Sequence, residues 1–396
     1  MKILLVHNHY GSAAPSGENR VFELERDMLR QHGHEVEVFE RHSDDLRKMG
    51  VVGKLKGAAM TPWNPIAARE LRALALNFNP DVIHAHNTFP MISPAIFFAM
   101  RGWPRVLTLH NYRLVCPAAI PMRDNKTCTK CIDQKSVIPS LRHGCYRESR
   151  VATVPLALNV ALHRMLGTWT KQVDAFITLS QFQKDIFVGA GLPEQRICIK
   201  PNFYPGTPNR VPYYQRPQRI VFAGRISGEK GVDDLVEAWM LWGKGAPELR
   251  IIGDGPLREI LQARAAQAEN IVFCGALSSS DTEIEISKAR LLLVPSRWFE
   301  GFPMVIREAI ALGVPIGVSD IGPLPQIASD VGGIVFPPGD ARALISFVKI
   351  IWENPAQLAK ISKNCEAAFE RLYSESVNYE KLISIYRKAI ESARVN

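Results

Sequence analysis

Two stretches of the chain share one pattern, in which a short apolar run is followed by a loop and then by a helical repeat. In the first, the run Ile3–Val6 precedes small residues from Gly11 to Gly17 and an amphipathic helix that ends at Gly33. In the second, the run 219–224 precedes a loop at 225–231 and another helix. Apolar runs that alternate with helices predict parallel strands. Each stretch therefore opens a doubly wound α/β sheet.

The chain is too long for a single hydrophobic core. It has 396 residues, and cores of single domains stop growing below that size. Five prolines fall between Pro201 and Gln218, where the apolar pattern is weak and a linker is expected. We predict one domain at 1–203, a second at 204–376 and a final helical segment at 377–396.

The stretch from Leu291 to Gly313 carries two carboxylates on different elements. The apolar run Leu291–Val294 predicts a buried strand, and Pro303 suits the first position of a helix that Gly313 ends. Glu300 then lies at the end of the strand, whereas Glu308 lies more than a turn inside the helix. The two are poor candidates for a paired acid and base.

The residues between these two carboxylates are suited to binding an anion. Gly301 and Phe302 would present backbone N–H groups at the amino end of a helix, where the helix dipole stabilises a phosphate. A strand and a helix with two solvated carboxylates is the alternative interpretation of the same spacing.

With seven residues between them, Glu300 and Glu308 resemble the Glu-x7-Glu signature of family 4 of the retaining glycosyltransferases. The resemblance implies the GT-B fold, in which two Rossmann-like domains face a central cleft and a last helix crosses back to the first domain. It also implies transfer of a sugar from a nucleotide diphosphate to an acceptor. Glu300 would contact the transferred sugar, and Glu308 would bind the ribose.

Other positions match the same family. Arg225 and Lys230 flank a glycine-bearing turn after a strand, where cations can hold a diphosphate, as in the family's Gly-Arg…Lys-Gly motif. His110 matches the histidine that contacts the sugar and the reaction centre, although a purely structural histidine is possible. The resemblance places the donor beside Gly17, Gly224, Gly253, Gly255, Ala276, Leu277, Gly301, Phe302, Pro303 and Glu308.

Four cysteines fall within 30 residues, namely Cys116, Cys128, Cys131 and Cys145. Four thiolates at such spacing can hold a tetrahedral structural zinc ion. Reduced cysteines in a loop on the acceptor side are the alternative, and the chemistry of the resembled family requires no cofactor.

The net positive charge of the chain comes entirely from its first half. Residues 1–200 hold 26 Lys and Arg against 17 Asp and Glu, whereas residues 201–396 hold 22 of each. No acidic residue occurs from Leu46 to Arg69, a basic amphipathic stretch that could lie on an anionic membrane, although a mobile loop with solvated lysines is also expected there. The basic residues are scattered and no RNA-binding motif is present, which argues against nucleic acid as a binding partner. The absence of a secretory signal predicts a cytoplasmic protein, with peripheral attachment to the cytoplasmic face of the membrane as an option.

These features predict a retaining glycosyltransferase that moves a hexose from a UDP- or GDP-sugar to a glycan or lipid-linked acceptor in polysaccharide or glycoconjugate biosynthesis. Two alternatives stay open. A GT-B nucleotide-sugar epimerase would need a set of proton-abstracting groups that the sequence does not reveal. A non-catalytic protein could use the basic half to bind a membrane or nucleic acid.

Overall fold

A computed structural model describes residues 1–11 and 16–395. Residues 12–15, most of the predicted loop from Gly11 to Gly17, lie outside this description. The chain divides into two compact units. Unit 1 comprises 1–121, 128–201 and 379–396, and unit 2 comprises 122–127 and 202–378.

Within the described ranges, the strands are β1 Lys2–His9, β2 Glu35–His42, β3 Val82–Asn87, β4 Arg105–Leu109, β5 Met122–Arg123, β6 Lys126–Thr127, β7 Ala175–Thr178, β8 Ile197–Ile199, β9 Arg219–Ala223, β10 Glu248–Ile252, β11 Ile271–Gly275, β12 Leu291–Val294, β13 Ile316–Ser319 and β14 Ile334–Phe336.

The α-helices of the described residues are α1 Gly17–Gln31, α2 Ser43–Lys48, α3 Gly50–Met60, α4 Pro65–Phe78, α5 Ile96–Ala99, α6 Lys130–Asp133, α7 Ile138–His143, α8 Arg150–Met165, α9 Thr168–Lys171, α10 Gln181–Gly189, α11 Val232–Trp242, α12 Arg258–Arg264, α13 Ser279–Ser287, α14 Met304–Ala311, α15 Leu324–Ser329, α16 Ala341–Trp352, α17 Pro355–Ala368 and α18 Glu375–Val395.

Each unit is built on a six-stranded sheet. The strand order is β2-β1-β3-β4-β7-β8 in unit 1 and β11-β10-β9-β12-β13-β14 in unit 2, and every pairing in both sheets is parallel. The prediction of two doubly wound α/β domains is confirmed. The strand order reverses between β1 and β3 in unit 1 and between β9 and β12 in unit 2. In doubly wound sheets the carboxyl ends of the strands at this point form a ligand site.

The strands lie in the core because helices cover both faces of each sheet. All residues of β3, β4, β7, β12 and β13 are buried, as expected for parallel strands that read as continuous apolar runs. In unit 2, α11 contributes the fully buried Trp239, and its indole N–H donates to the carbonyl of Pro247 at 2.8 Å. These cores fix the ends of the strands, where the predicted site residues lie.

The predicted linker is a packed part of unit 2. Phe203, Tyr204 and Tyr213 are buried, and the guanidinium of Arg216 donates to the carbonyls of Leu312 and Gly313. Prolines there keep the backbone extended, which made the segment look like a linker. The aromatic side chains of this segment are nevertheless buried.

The prediction of a mobile loop within Leu46–Arg69 is wrong, because the segment is helical. It contains the end of α2, all of α3 and the start of α4. Gly53 and Gly57 are buried one turn apart, and a Cβ at Gly53 would overlap the carbonyl oxygen of Leu46. Close packing of α3 on α2 through these glycines stabilises a helix that glycine content alone disfavours.

The last helix, α18, runs from Glu375 to Val395, and its residues from Tyr379 onward belong to unit 1. The Tyr386 hydroxyl lies 2.8 Å from Nδ1 of His84 on β3. None of the helices described is both long enough and apolar enough to cross a membrane.

A buried ion pair ties α1 to the end of β8. The ammonium of Lys200 lies 2.6 Å from Oε1 of Glu25, and both side chains are almost inaccessible to solvent. Removing one partner of a buried pair leaves an uncompensated charge in the core.

We expect Lys200→Met to lower the free energy of unfolding by ~3–5 kcal/mol, measured by urea denaturation. The double variant Glu25→Leu/Lys200→Met should lose less, because neither charge is then left alone. As a matched control, Lys2→Met breaks the exposed pair with Glu35 and should cost no more than ~1 kcal/mol. A buried pair that proved no more costly to break than this exposed one would contradict the account.

Candidate functional site

In unit 2, the loops that follow the adjacent strands β9 and β12 are joined through their backbones. The amide of Arg297 donates to the carbonyl of Glu229 at 2.9 Å. Gly231 adopts a φ of +66°, and a Cβ there would overlap the carbonyl oxygen of Pro295. Only glycine combines that backbone conformation with so close an approach. The two loops therefore form one surface at the point where the strand order reverses.

Side chains from both loops converge on Glu300. Its Oε1 accepts hydrogen bonds from the Lys230 ammonium at 2.7 Å, the Ser296 hydroxyl at 2.7 Å and the Trp298 indole N–H at 3.0 Å. Glu300 is buried, and the Lys230 ammonium also lies 5.2 Å from the centre of the Trp298 ring. The carboxylate is held in one orientation, and Lys230 is fixed beside it.

Further donors at this edge have no partner among the residues that the structure describes. Arg225 is exposed and makes no hydrogen bond or ion pair with another described residue. The amides of Gly301 and Phe302 likewise donate to no atom in the described part of the chain. Helix α14 begins at Met304, so Pro303 is its N-cap residue and not its first helical residue as predicted. The guanidinium and these amides can receive an anion.

Glycines also bring the neighbouring loops together. The amide of Gly224 donates to Ile252, and that of Gly253 donates to Gly275, at 2.9 and 2.8 Å. A Cβ at Gly253 would overlap the carbonyl oxygen of Gly224, and one at Gly255 would crowd Ile226. Ala276 and Leu277 follow β11 and are exposed. The predicted donor-binding glycines thus hold the carboxyl ends of β9, β10 and β11 in register.

Glu308 lies on α14, separate from the hydrogen bonds of Glu300. Its Oε1 accepts from the Arg307 guanidinium at 3.1 Å, and Arg307 is buried and also donates to the carbonyl of Phe203. Glu308 itself stays partly accessible. Its carboxylate is therefore oriented by a fixed cation.

In unit 1, His110 follows β4, is partly buried and adjoins a chain of buried polar groups. His110 Nε2 lies 3.1 Å from His86 Nδ1, and His86 Nε2 lies 3.6 Å from Oε2 of Glu25, the partner of Lys200. Burial, with the nearby His7 and Lys200, lowers the pKa of His110 to about 3. His110 is therefore a neutral imidazole at neutral pH, able to donate or accept a hydrogen bond without carrying charge.

Sequence reasoning missed a second group beside His110. The Asn111 amide donates to Oε1 of Glu18 at 2.6 Å. Burial raises the pKa of Glu18, although Asn111 and Arg113 oppose the shift. Glu18 directly follows the predicted Gly17, which is exposed at the first position of α1. The one sequence signal for Asn111 was its position, since it is a hydrogen-bonding residue directly after the histidine that follows a strand.

Unit 1 also has a pocket beside His110 with unsatisfied polar groups. Three buried atoms of residues lining it have no hydrogen-bond partner among the described residues: Nε of Arg113, Oδ1 of Asn159 and Nε1 of Trp169. Buried polar atoms without partners are rare in folded proteins. The three atoms belong to residues that line the pocket but are themselves inaccessible to solvent.

The described residues contain two groups of ligand-type side chains whose donor atoms lie within 4.8 Å of one another. In the group Glu25, His84 and His86, the Lys200 ammonium already neutralises the carboxylate, and both nitrogens of His84 have hydroxyl partners.

In the other group, His9, Glu40 and His42, Nε2 of His9 lies 3.1 Å from Glu40, and its ring stacks on His42 at 4.5 Å. No cation is needed to hold either group together.

The four cysteines of the predicted zinc site lie in the segment after β4. Cys116 and Cys131 are buried, and none of the four described cysteines forms a disulfide. Burial raises the pKa of Cys116 to about 12, so it is protonated in the absence of a metal. No three of the four sulfurs belong to a group within 4.8 Å, and the zinc ion stays a prediction.

Two family models match successive parts of the chain. The model described as Glycosyltransferase Family 4 matches residues 16–205, and the model described as Glycosyl transferases group 1 matches residues 208–368. Together they cover every strand of both sheets except β1.

Curated relatives have names from polysaccharide biosynthesis. The putative teichuronic acid biosynthesis glycosyltransferase TuaC of Bacillus subtilis is 24% identical over 383 residues, which cover 87% of each chain. The amylovoran biosynthesis glycosyltransferase AmsK of Erwinia amylovora is 26% identical over 184 residues, 44% of this chain. The latter alignment spans 45% of AmsK, less than half of that relative.

Among solved structures, HepE of Anabaena in complex with UDP superposes with a TM-score of 0.64. The superposition covers 97% of this chain and 99% of HepE at 17% sequence identity. HepE has also been solved with UDP-glucose. At this identity the likeness demonstrates a common fold.

Replacing Gly231 tests whether the loops after β9 and β12 depend on their close contact. We expect Gly231→Ala to cost ~1–3 kcal/mol of stability through strain, measured by thermal unfolding, because the added methyl group meets Pro295. Gly245→Ala is the matched control, since a Cβ there has open space. An unchanged midpoint for Gly231→Ala would show that the loops tolerate separation.

The buried histidines predict how stability depends on pH. The folded-state pKa values of His110 and His7 are about 3 and 4, against an ordinary 6.5. Between the folded-state pKa values and 6.5, the unfolded state binds more protons than the folded state. The contribution of these histidines to stability is therefore fully present above about pH 6.5 and is lost as the pH is lowered. Each such histidine contributes up to ~1.4 kcal/mol per pH unit.

Urea denaturation from pH 7.5 to 4.5 measures this slope. His110→Asn should make it shallower, because one proton-binding difference is removed. The control His143→Asn, at an exposed histidine, should leave the slope unchanged. Equal slopes for His110→Asn and the parent protein would contradict the lowered pKa of His110 in the folded state.

Proposed function

We propose that the chain is a retaining enzyme that transfers a hexose from a nucleotide diphosphate sugar, because two glycosyltransferase family models match successive parts of it and its fold is the GT-B fold. The acceptor is a glycan or a lipid-linked saccharide. The observation that carries this proposal is the joined surface of the loops after β9 and β12, where Lys230 and Glu300 are held 2.7 Å apart. HepE, with the same fold, binds UDP and UDP-glucose, which supports a nucleotide-sugar donor.

The proposed donor site divides the chemical work between cations and a carboxylate. Arg225, Lys230 and the amides of Gly301 and Phe302 would stabilise the charge that builds on the leaving diphosphate. Glu300 would accept hydrogen bonds from sugar hydroxyls, since its orientation is fixed by Lys230, Ser296 and Trp298. A carboxylate held in this way loses little conformational freedom when the sugar binds.

The remaining roles follow the same physical chemistry. Glu308, oriented by Arg307, would accept hydrogen bonds from the two ribose hydroxyls. His110, neutral at physiological pH because burial lowers its pKa to about 3, would hydrogen-bond the transferred sugar without repelling positive charge on it. No residue is assigned as a covalent nucleophile, and the leaving phosphate would accept the proton of the acceptor hydroxyl.

The stereochemical part of the proposal has a direct test. Once the donor and an acceptor are found, proton NMR of the fresh product reports the anomeric configuration through its coupling constant. We expect the configuration of the donor to be kept. An inverted product would overturn the retaining assignment, and an epimerised donor without net transfer would overturn the transferase assignment.

Substitution of the two loop cations tests their proposed contact with the diphosphate. A charge-assisted hydrogen bond is worth ~1.5–3 kcal/mol, so Arg225→Ala and Lys230→Ala should each lower turnover at least about tenfold. Lys244→Ala is the control, because Lys244 is an exposed cation that precedes β10, away from the carboxyl ends of the strands. Near-normal turnover with either loop variant would remove that residue from the proposed site.

A further inference from the structure

Helix α8 has an apolar stripe on its exposed side. Val151, Val154, Leu158 and Met165 recur at helical spacing, and Val151 and Met165 are 82% and 78% exposed. The opposite side of α8 is buried in unit 1. An amphipathic helix normally exposes its polar side. Packing within the fold therefore does not explain this exposed apolar stripe.

Helix α3, which packs beside α8, repeats the same feature. Val51, Val52 and Leu55 are exposed, with Val51 at 71%. Trp63, shortly after α3, is also partly exposed and stacks on His163 of α8 with ring centres 5.8 Å apart. Two neighbouring helices thus present large apolar side chains to solvent, and extended apolar patches of this kind mark interaction surfaces.

The charges around these helices have one sign. Residues 46–69 and residues 149–173 contain no aspartate or glutamate. Lys54, Lys56, Arg150 and Lys171 are exposed there, and Lys54 and Lys56 form no ion pair within the described part of the chain. The apolar side chains are therefore surrounded by cations that no carboxylate of the same segments balances.

We propose that the outer faces of α3 and α8 bind an anionic lipid bilayer. Valine, leucine and methionine side chains would enter the interface between headgroups and acyl chains, while the flanking lysines and arginines would contact lipid phosphates. Charge favours a bilayer over a second copy of this chain, because pairing two such faces would bring like charges together. The membrane attachment predicted from Leu46–Arg69 thereby gains α8 as a second contact.

The same two helices connect this face to the proposed site. Asn159, on the buried side of α8, and Thr61, which directly follows α3, line the pocket beside His110. A lipid-linked saccharide held in the bilayer would therefore be the acceptor chemistry that suits unit 1. This consequence rests on the proposed transferase function, whereas the binding of the bilayer does not.

Sedimentation with vesicles tests the proposal directly. The purified full-length chain is mixed with vesicles of phosphatidylcholine alone or of phosphatidylcholine and phosphatidylglycerol at a 7:3 ratio. We expect retention on the anionic vesicles to exceed that on the neutral ones at least fivefold and to fall when 0.5 M NaCl is added. Equal retention on both vesicle types, or retention on neither, would overturn the proposal.

Three variants separate the apolar and charged contributions. Val51→Ser/Val52→Ser/Leu55→Ser and Val151→Ser/Val154→Ser/Leu158→Ser should each reduce retention on anionic vesicles at least fivefold, as should Lys54→Glu/Lys56→Glu. The control Phe347→Ser/Ile350→Ser changes exposed apolar residues of α16 in unit 2 and should bind as the parent does. Circular dichroism establishes that each variant is folded.

The remaining outcomes also decide the matter. Full retention of both folded triple-serine variants would contradict the assigned face. Self-association of the parent that the triple variants abolish, without any retention on vesicles, would replace the bilayer with a second copy of the chain. Thermal stabilisation by nucleotides is recorded for every variant, so a failure of donor binding with intact vesicle binding would count against the transferase function alone.

Discussion

The contact between the backbones of Gly231 and Pro295 is the constraint on which the proposed donor site depends. It brings the loop after β9 against the loop after β12, and the sheet order places these two strands side by side. Lys230 and Glu300 can form their 2.7 Å ion pair only because the loops are joined in this way. A cation and a carboxylate far apart in sequence thus become a preformed unit before any ligand arrives, which reduces the cost of ordering them on binding.

The fold could be predicted from the sequence because its signals are local. Buried parallel strands read as continuous apolar runs, so β12 was predicted with the bounds that the structure has. Pairing between distant residues was not accessible in the same way. The sequence indicated a phosphate contact for Lys230 and a sugar contact for Glu300, but the hydrogen bond between them depends on strand order and loop contact. The role of each residue toward a donor is still a prediction.

Tertiary packing explains the features that sequence reasoning missed. The helix α3 contains three glycines and reads as a loop, yet Gly53 and Gly57 allow it to pack closely on Leu46. Glu18 and Asn111 come together only when the start of α1 meets the end of β4. The unsatisfied atoms of Arg113, Asn159 and Trp169 carry no sequence pattern, because being unpaired is a property of the folded surroundings.

Thermal stabilisation of the purified protein by UDP, GDP and their common sugar conjugates tests the central claim most directly. A ligand that binds only the folded state raises the unfolding midpoint in proportion to its affinity and concentration. The account predicts a clear rise with one nucleotide class, and a smaller rise when Lys230 or Arg225 is replaced by alanine. A folded protein whose midpoint responds to none of these compounds would contradict a nucleotide-sugar site at the ends of β9 and β12.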